Sequence, residues 1–406
     1  MNKKAIAILA AIFLLIVGTL GFLIYSKNTA NKEVPPKSED NAKNAGNNAP
    51  VDSAPIDGGD NGNASTTPPK SAAQKFVELT SAPAGLVSPV LFYDGNGVTY
   101  LNGQGEMIKA DFEILAGGQL GLTRERKVDL PKKTGIARVL WPKNGDDFIA
   151  EFTDFSGNKS YSYFNYDLGE YIDLPSKVKA VEWLPDGDKI IFVWVDQDTE
   201  GNDKATLNIA KPDTTEYQTI AQLYENDDLL YLSPDGLNLV FHRAKNTEST
   251  NKIVLTTPDG KMWKDLVKEG YNFGILWSPD SQKFLFGKMA RDGAGYQLWY
   301  YDWYSGEVKN LGLMTVPVKA VWGSDSRTVY AAAPKDGEAI KDYADINNSY
   351  TADSFYKIDT ATMEKTEHKP DGLTIDGRDL FLNSSEDKLF FKNAQDGGLY
   401  YLDLTQ

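Results

Sequence analysis

Six stretches of the chain repeat one pattern of apolar and polar positions. They are VLWPKNGDDFIAEF from Val139, VEWLPDGDKIIFVW from Val181, LYLSPDGLNLVFHR from Leu230, ILWSPDSQKFLFGK from Ile275, AVWGSDSRTVYAAA from Ala320 and LFLNSSEDKLFFKN from Leu380. Each reads as the end of an apolar strand, a polar turn and a second apolar strand. Pro presets φ for the first central position of a type I turn, and Asp and Gly suit the positions after it. The large residue before the turn is Trp141, Trp183, Leu232, Trp277, Trp322 or Leu382, at spacings of 42, 49, 45, 45 and 60 residues. A period in the forties marks a four-stranded blade of a β-propeller. Segments such as ATLNIAK, KIVLTT, QLWYYD and SFYKID supply a third strand, and hairpins such as TPDGK or DWYSGE lead to a weaker fourth. No segment carries a long 3.6-residue apolar period, so helices should be few. The fold class is therefore all-β, and the Trp residues should pack between blades.

The ends set the blade count. The last unit offers DLFLN, KLFFKN and GLYYLDL but no fourth strand. FVELT, Phe76 to Thr80, has strand length and should supply it. VLFYDGNGVTYL resembles LFFKNAQDGGLYYL and opens a degenerate first blade. That gives a seven-bladed β-propeller, with six and eight blades as alternatives. Closing the ring with the N-terminal strand removes its exposed edges.

The pattern changes completely before Phe76. Ala5 to Tyr25 is an uncharged apolar run of 21 residues. As a helix it would reach about 31 Å, enough to cross a hydrocarbon core. It ends in Phe22, Leu23, Ile24 and Tyr25 rather than at a small-residue cleavage site, which suits an uncleaved anchor. Lys3 and Lys4 favour a cytoplasmic start, although Lys27 and Lys32 follow the span. The expected address is the cell membrane, single-pass, with the C-terminal body extracytoplasmic. Residues 26–74 are rich in Asn, Ala, Pro, Asp, Gly and Ser and read as a disordered tether. The expected domains are a cytoplasmic stub with anchor over 1–25, this linker over 26–74, and the propeller over 75–406.

Composition narrows the function. The 406 residues carry a formal charge of −15; residues 76–406 hold 34 basic and 51 acidic side chains, a formal −17. Such a body repels phosphate backbones, so nucleic acid is not an expected partner. There is no cysteine, which excludes disulfides, thiolate metal sites and cysteine nucleophiles.

The W-S-P-D-G turns resemble those of TolB-type, tryptophan–aspartate-like propeller repeats, also seen in the propeller of dipeptidyl-peptidase-like proteins. The layout of anchor, tether and propeller is similar to single-anchor propellers of bacteria. The resemblance spans about Phe76 to Gln406 and implies a fold more than a function. Val321–Asp325 departs from it by lacking Pro, and Leu382–Lys388 by lacking both Pro and Gly.

The candidate chemistry is sparse. There is no G-x-S-x-G elbow, no hydrolase domain follows the repeats, and only His242 and His368 exist. His242 reads as a packed strand residue and His368 as a solvated loop residue. Asp196, Asp198 and Glu200 alternate before Gly201, as in loops that wrap oxygen ligands around calcium, but Leu207 stands where an EF-hand would place its bidentate Glu. No cofactor is expected, with calcium at this loop as the one alternative. Connections between second and third strands are the long ones. The longest carries Tyr343 and Tyr350 as candidate partner contacts, and the hairpin DWYSGE would present Trp303 and Tyr304 on the opposite face. These features predict a membrane-anchored binding or scaffolding module of the cell envelope, not an enzyme, with a protein or envelope polymer as partner. The alternative is a glycan lyase or hydrolase using acidic residues at the ring mouth.

Overall fold

The turn chemistry of the repeat becomes backbone geometry. Four residues after the anchoring Trp or Leu, Gly187 and Gly236 take left-handed φ values of 76° and 71°. Ser281, Ser326 and Glu386 hold the same position at 61°, 53° and 53° in the units without Gly. The Asp before it holds the turn shut: Asp235 Oδ1 accepts the N–H of Leu237 at 2.9 Å, and Asp280 Oδ1 that of Gln282 at 3.0 Å. This is the Asx device that makes Asp a turn residue.

The structure is a computed structural model that describes residues 76–405 apart from 81–84, 93, 117, 144–145, 224–228, 244–251, 268–271, 336–338, 342–345, 347–348 and 371. β1 is Phe76–Thr80. Blade 1 is β2 (Leu86–Leu91), β3 (Gly97–Asn102), β4 (Met107–Ile114) and β5 (Leu120–Val128). Blade 2 is β6 (Ile136–Leu140), β7 (Phe148–Thr153), β8 (Lys159–Asn165) and β9 (Glu170–Asp173). Blade 3 is β10 (Val178–Trp183), β11 (Ile190–Gln197), β12 (Asp203–Ala210) and β13 (Gln218–Gln222). Blade 4 is β14 (Leu229–Leu232), β15 (Leu239–Arg243), β16 (Lys252–Thr256) and β17 (Trp263–Val267). Blade 5 is β18 (Asn272–Trp277), β19 (Lys283–Met289), β20 (Tyr296–Asp302) and β21 (Glu307–Asn310). Blade 6 is β22 (Ala320–Trp322), β23 (Thr328–Pro334), β24 (Asp353–Asp359) and β25 (Lys365–His368). Blade 7 is β26 (Gly377–Leu382), β27 (Lys388–Asn393), β28 (Leu399–Asp403) and, as its outer strand, β1.

All neighbouring strands are antiparallel, and the first strands of adjacent blades touch one another, so they ring the axis. The order places every turn from first to second and from third to fourth strand on one face, the turn face. Connections from second to third strand, and from blade to blade, lie on the other, the loop face. Among the described residues there is no α-helix, only one 3-10 turn over Pro317–Lys319. No helix among them is long and apolar enough to cross a membrane, and Ala5–Tyr25 lies outside them.

Each blade interface has its own apolar core. Leu101, Met107 and Phe148 lie between blades 1 and 2. Tyr163, Trp183 and Ile190 lie between blades 2 and 3, and Ile191, Leu230 and Phe241 between 3 and 4. Trp277 with Val240, Trp322 with Leu285, Leu389 with Tyr330, and Leu399 with Leu86 complete the circuit. The anchoring Trp side chains add a polar tie. Trp141, Trp183, Trp277 and Trp322 each donate Nε1–H to the preceding blade's first strand, at Ser88, Leu140, Tyr231 and Leu276 carbonyls, over 2.8, 2.9, 3.2 and 3.0 Å. The ring closes as expected, through β1 on β28: Phe76 opposes Leu402, Val77 opposes Tyr401 and Glu78 opposes Tyr400. Phe76 also meets Phe355 of blade 6 at 5.3 Å between ring centroids.

One expectation fails here. His368 is not in a solvated loop but ends β25, opposite Phe355 and only 6% exposed. Neither ring nitrogen has a hydrogen-bond partner among the described residues, and burial, helped by Lys357, pushes its pKa down. KTEHKP looked polar because an outer strand shows its other residues to water. His242 lies on β15, as expected.

Two outcomes test this architecture. Trp183→Ala removes a buried indole and its bond to Leu140, and should cost about 3–5 kcal/mol in chemical denaturation; a loss below about 1 kcal/mol would mean the indole does not join the blades. Removing residues 1–74 should leave the melting temperature unchanged, whereas removing 1–82 strips β1 from β28 and should lower it markedly with aggregation. Equal melting of the two truncations would place the seam elsewhere.

Candidate functional site

Five of the seven positions just before an anchoring residue or its blade-1 equivalent are aliphatic or Phe: Leu91, Leu140, Leu276, Val321 and Phe381. The other two are Glu182 on β10 and Tyr231 on β14. Trp183 packs in the interface with blade 2, and Glu182 precedes it on the same strand. Glu182 is set electrostatically against Arg138 of β6, Glu151 of β7 and Lys159 of β8. Lys159 Nζ pairs with Glu151 at 3.0 Å, and Glu151 is itself buried. Tyr231 shares the same neighbourhood, within the influence of Arg138, Glu182 and Glu151. Three successive first strands, which ring the axis, thus carry a guanidinium, a carboxyl and a phenol that influence one another.

Burial dominates the electrostatics. It lifts Glu182 from an ordinary 4.5 to about 7; Arg138 and Lys159 oppose that rise and Glu151 adds to it. Burial likewise lifts the Tyr231 phenol to about 12. Arg138 is solvent-exposed, so the cluster opens to water on the blade 2 side. A carboxyl that titrates near neutrality, with a cation in front of it, can bind an anion, exchange a proton or do both.

A second cluster lies between blades 6 and 7. Lys319, Asp353, Asp376 and Arg378 are all buried. Lys319 Nζ bonds Asp353 at 2.7 Å and also Asp376, while Arg378 bonds Asp376 at 2.6 Å. Two cations thus balance two anions. Burial lifts the Asp353 pKa; burial also acts on Asp376, but Arg378 and Lys319 outweigh it and hold that carboxyl low. The Arg378 guanidinium donates to the Ser349 carbonyl at 2.7 Å, and the Lys319 ammonium to Thr351 Oγ1 at 3.0 Å. Ile340 and Ile346 pack beneath the same loop, against Tyr296 and Val316. The cluster bolts the long blade 6 loop to the ring, and every charge in it is spent inside.

The residues singled out in the sequence do not converge. Asp196 pairs with Lys177 at 2.9 Å. Asp198 accepts the N–H groups of Glu200 and Asn202 at 2.8 and 2.9 Å, and its other oxygen accepts from the Asn202 side chain at 3.1 Å. The loop after β7 repeats this: Asp154 accepts from Ser156, Asn158 and the Asn158 amide. The D-x-x-G-N pattern is therefore a self-capping turn, in which the Asp oxygens accept from the loop's own N–H groups. Among the described residues, no group of three or more His, Asp or Glu is placed to hold a metal ion. Tyr350 is exposed on the loop face, and Tyr343 lies outside the described residues. On the turn face, Trp303 donates to the Ser281 carbonyl at 2.7 Å and packs into its own blade, while Tyr304 is 82% exposed. Sequence reasoning missed Arg138, Glu182 and Tyr231. The signal was there: an acid at a repeat position that is otherwise apolar.

No protein-family model and no curated protein sequence matches the chain. Solved structures do. An oligogalacturonate lyase in complex with manganese is similar over 82% of this chain and 96% of its own, at 11% identity and a TM-score of 0.55. An oligogalacturonate lyase from Vibrio parahaemolyticus is similar over 82% of this chain and 97% of its own, at 11% identity and a TM-score of 0.54. TolB from Acinetobacter baumannii matches over 78% of each chain at 14% identity, with a TM-score of 0.40. Identities this low speak to the fold alone, which is the β-propeller shared with the two lyases. They nevertheless correct one expectation. The absence of enzymatic activity was expected from a bare propeller without a nucleophile motif or hydrolase domain, and the two lyases are enzymes carrying that same fold.

Proposed function

We propose that this protein is a tethered binding propeller of the cell envelope. In this reading Ala5–Tyr25 anchors the chain, residues 26–74 tether it, and the ring stands on the extracytoplasmic side. Its ligand is an envelope polymer bearing carboxylates and hydroxyls, which meets Arg138, Glu182 and Tyr231 inside the ring. The carrying observation is Glu182, a carboxyl raised to about 7 at a position that packing alone would fill with an aliphatic side chain. Perturbed carboxyls of this kind concentrate where a protein binds or reacts. Arg138 supplies a planar cation suited to a carboxylate.

A second reading is favoured by the same group. A carboxyl titrating near neutrality suits general acid or base work, and Glu182 would move a proton on a bound glycan. The fold shared with oligogalacturonate lyases is compatible with that role.

Calorimetry of the full chain against carboxylate-bearing glycan fragments and their neutral counterparts separates these readings, with product formation followed alongside. Arg138→Ala should weaken the carboxylated fragments at least tenfold, about 1.4 kcal/mol, and leave the neutral ones unchanged. Glu182→Gln should keep binding and, under the catalytic reading alone, stop product formation. Equal binding by wild type and Arg138→Ala would remove the proposal.

The pH dependence has a definite sign. The folded chain holds the Glu182 proton up to about pH 7, whereas an unfolded glutamate releases it near 4.5. This group therefore makes stability fall as pH rises from about 4.5 to 7, with no further change above. Glu182→Gln should flatten that part of the stability profile measured by denaturant titration. An unchanged slope would mean that Glu182 ionises normally.

A further inference from the structure

Among the described residues, large exposed apolar side chains are unevenly placed. Twelve are exposed, and nine of them lie on the turn face or at strand ends beside it. Blades 1 to 5 each contribute: Leu115, Leu168 at 66%, Tyr217 at 69%, Leu237 with Met262, and Tyr304. Blades 6 and 7 contribute none. Scattered apolar residues are normal on any surface, but a run through five successive blades on one face is a pattern.

Three first-to-second-strand turns on this face are joined, one of them carrying Leu237. The Asp235 N–H donates to Ser281 Oγ at 3.0 Å, and the Asp280 N–H to Ser326 Oγ at 2.9 Å, so turns of blades 4, 5 and 6 are bonded in series. These bonds hold that part of the face in place, which lowers its ordering cost on association. The face is also strongly acidic. Its turns in blades 1 to 5 hold eleven acidic and four basic side chains, a formal −7. Several of these acids are pinned by their own turns, as Asp235 and Asp280 show, so they cannot fold away from a partner.

We propose that the turn face of blades 1 to 5 docks a protein whose contact surface is basic and studded with apolar residues. Charge complementarity selects that occupant. A second copy would bring another −7 against this one, and an anionic bilayer would be repelled in the same way. A basic, apolar surface covers the exposed side chains and neutralises the acids between them. This surface is separate from the ring interior, and its partner is a protein rather than a polymer.

A photo-crosslinking side chain placed at Leu168, Tyr217 or Tyr304 of the full chain, in the cells that make it, tests the idea. Phe155 and Tyr350 on the loop face serve as controls. The expected result is adduct formation from the three turn-face positions with a protein other than this chain, through a peptide that is net basic and contains large apolar residues. Adduct yield should fall about tenfold between low salt and ~1 M salt, where the Debye length is about 3 Å. The double variant Tyr217→Ser, Tyr304→Ser should reduce crosslinking from Leu168 at least tenfold while melting like wild type. Chain-to-chain adducts, lipid adducts, equal yield from the loop face, an acidic partner peptide or no adduct at all would each overturn the proposal.

Discussion

Four-stranded sheets that bury both faces can exist only between neighbours, and in this chain that requirement is met by closure. Phe76–Thr80 completes the seventh sheet by pairing with Leu399–Asp403. Without it, blade 7 would present an unpaired edge, and Phe355 and Phe391 would lose the Phe76 ring that lies against them. Because each interface has its own apolar cluster, no single central core could compensate for an open seam. The indole bonds reinforce the same geometry, since each fixes one blade's anchor to the backbone of the blade before it.

Closure also divides the labour among charges. At the seam between blades 6 and 7, Lys319, Asp353, Asp376 and Arg378 satisfy one another and hold a loop. Across the ring, Arg138 is exposed and burial lifts the Glu182 carboxyl to about 7. Both clusters combine acids with bases near the first strands. Buried charges that are fully paired favour one structure, whereas a carboxyl poised between its two forms can exchange a proton.

The fold was legible because its determinants are local and recur. Pro, Asp and Gly at fixed offsets report a turn that must be made six times, and FVELT is a strand-length segment beside a polar stretch. The site was less legible because it is assembled from blades 2, 3 and 4, whose contributing residues are about forty to fifty positions apart. Glu182 could have been found by aligning the repeats and asking which unit breaks the apolar rule. Lys319, Asp353 and Asp376 could not, since their loops follow no repeat. Asp196, Asp198 and Glu200 show why closely spaced acids are ambiguous in a sequence: a turn that caps its own N–H groups, as Asp198 does, and a loop that wraps a cation both call for them.

The placement of β1 has a mechanical side. Phe76 is paired with Leu402 at the turn-face end of blade 7, and the strand then runs toward the loop face. The chain before Phe76 therefore joins the ring at the end of β1 rather than at its side. Tension directed away from the turn face would load the β1–β28 ladder lengthwise, so its bonds share the force instead of parting one at a time. A pull across the sheet would instead peel the strand from Phe76 onward. The element that closes the ring is thus also the one through which any load on the preceding chain is delivered, and its resistance depends on the direction of that load.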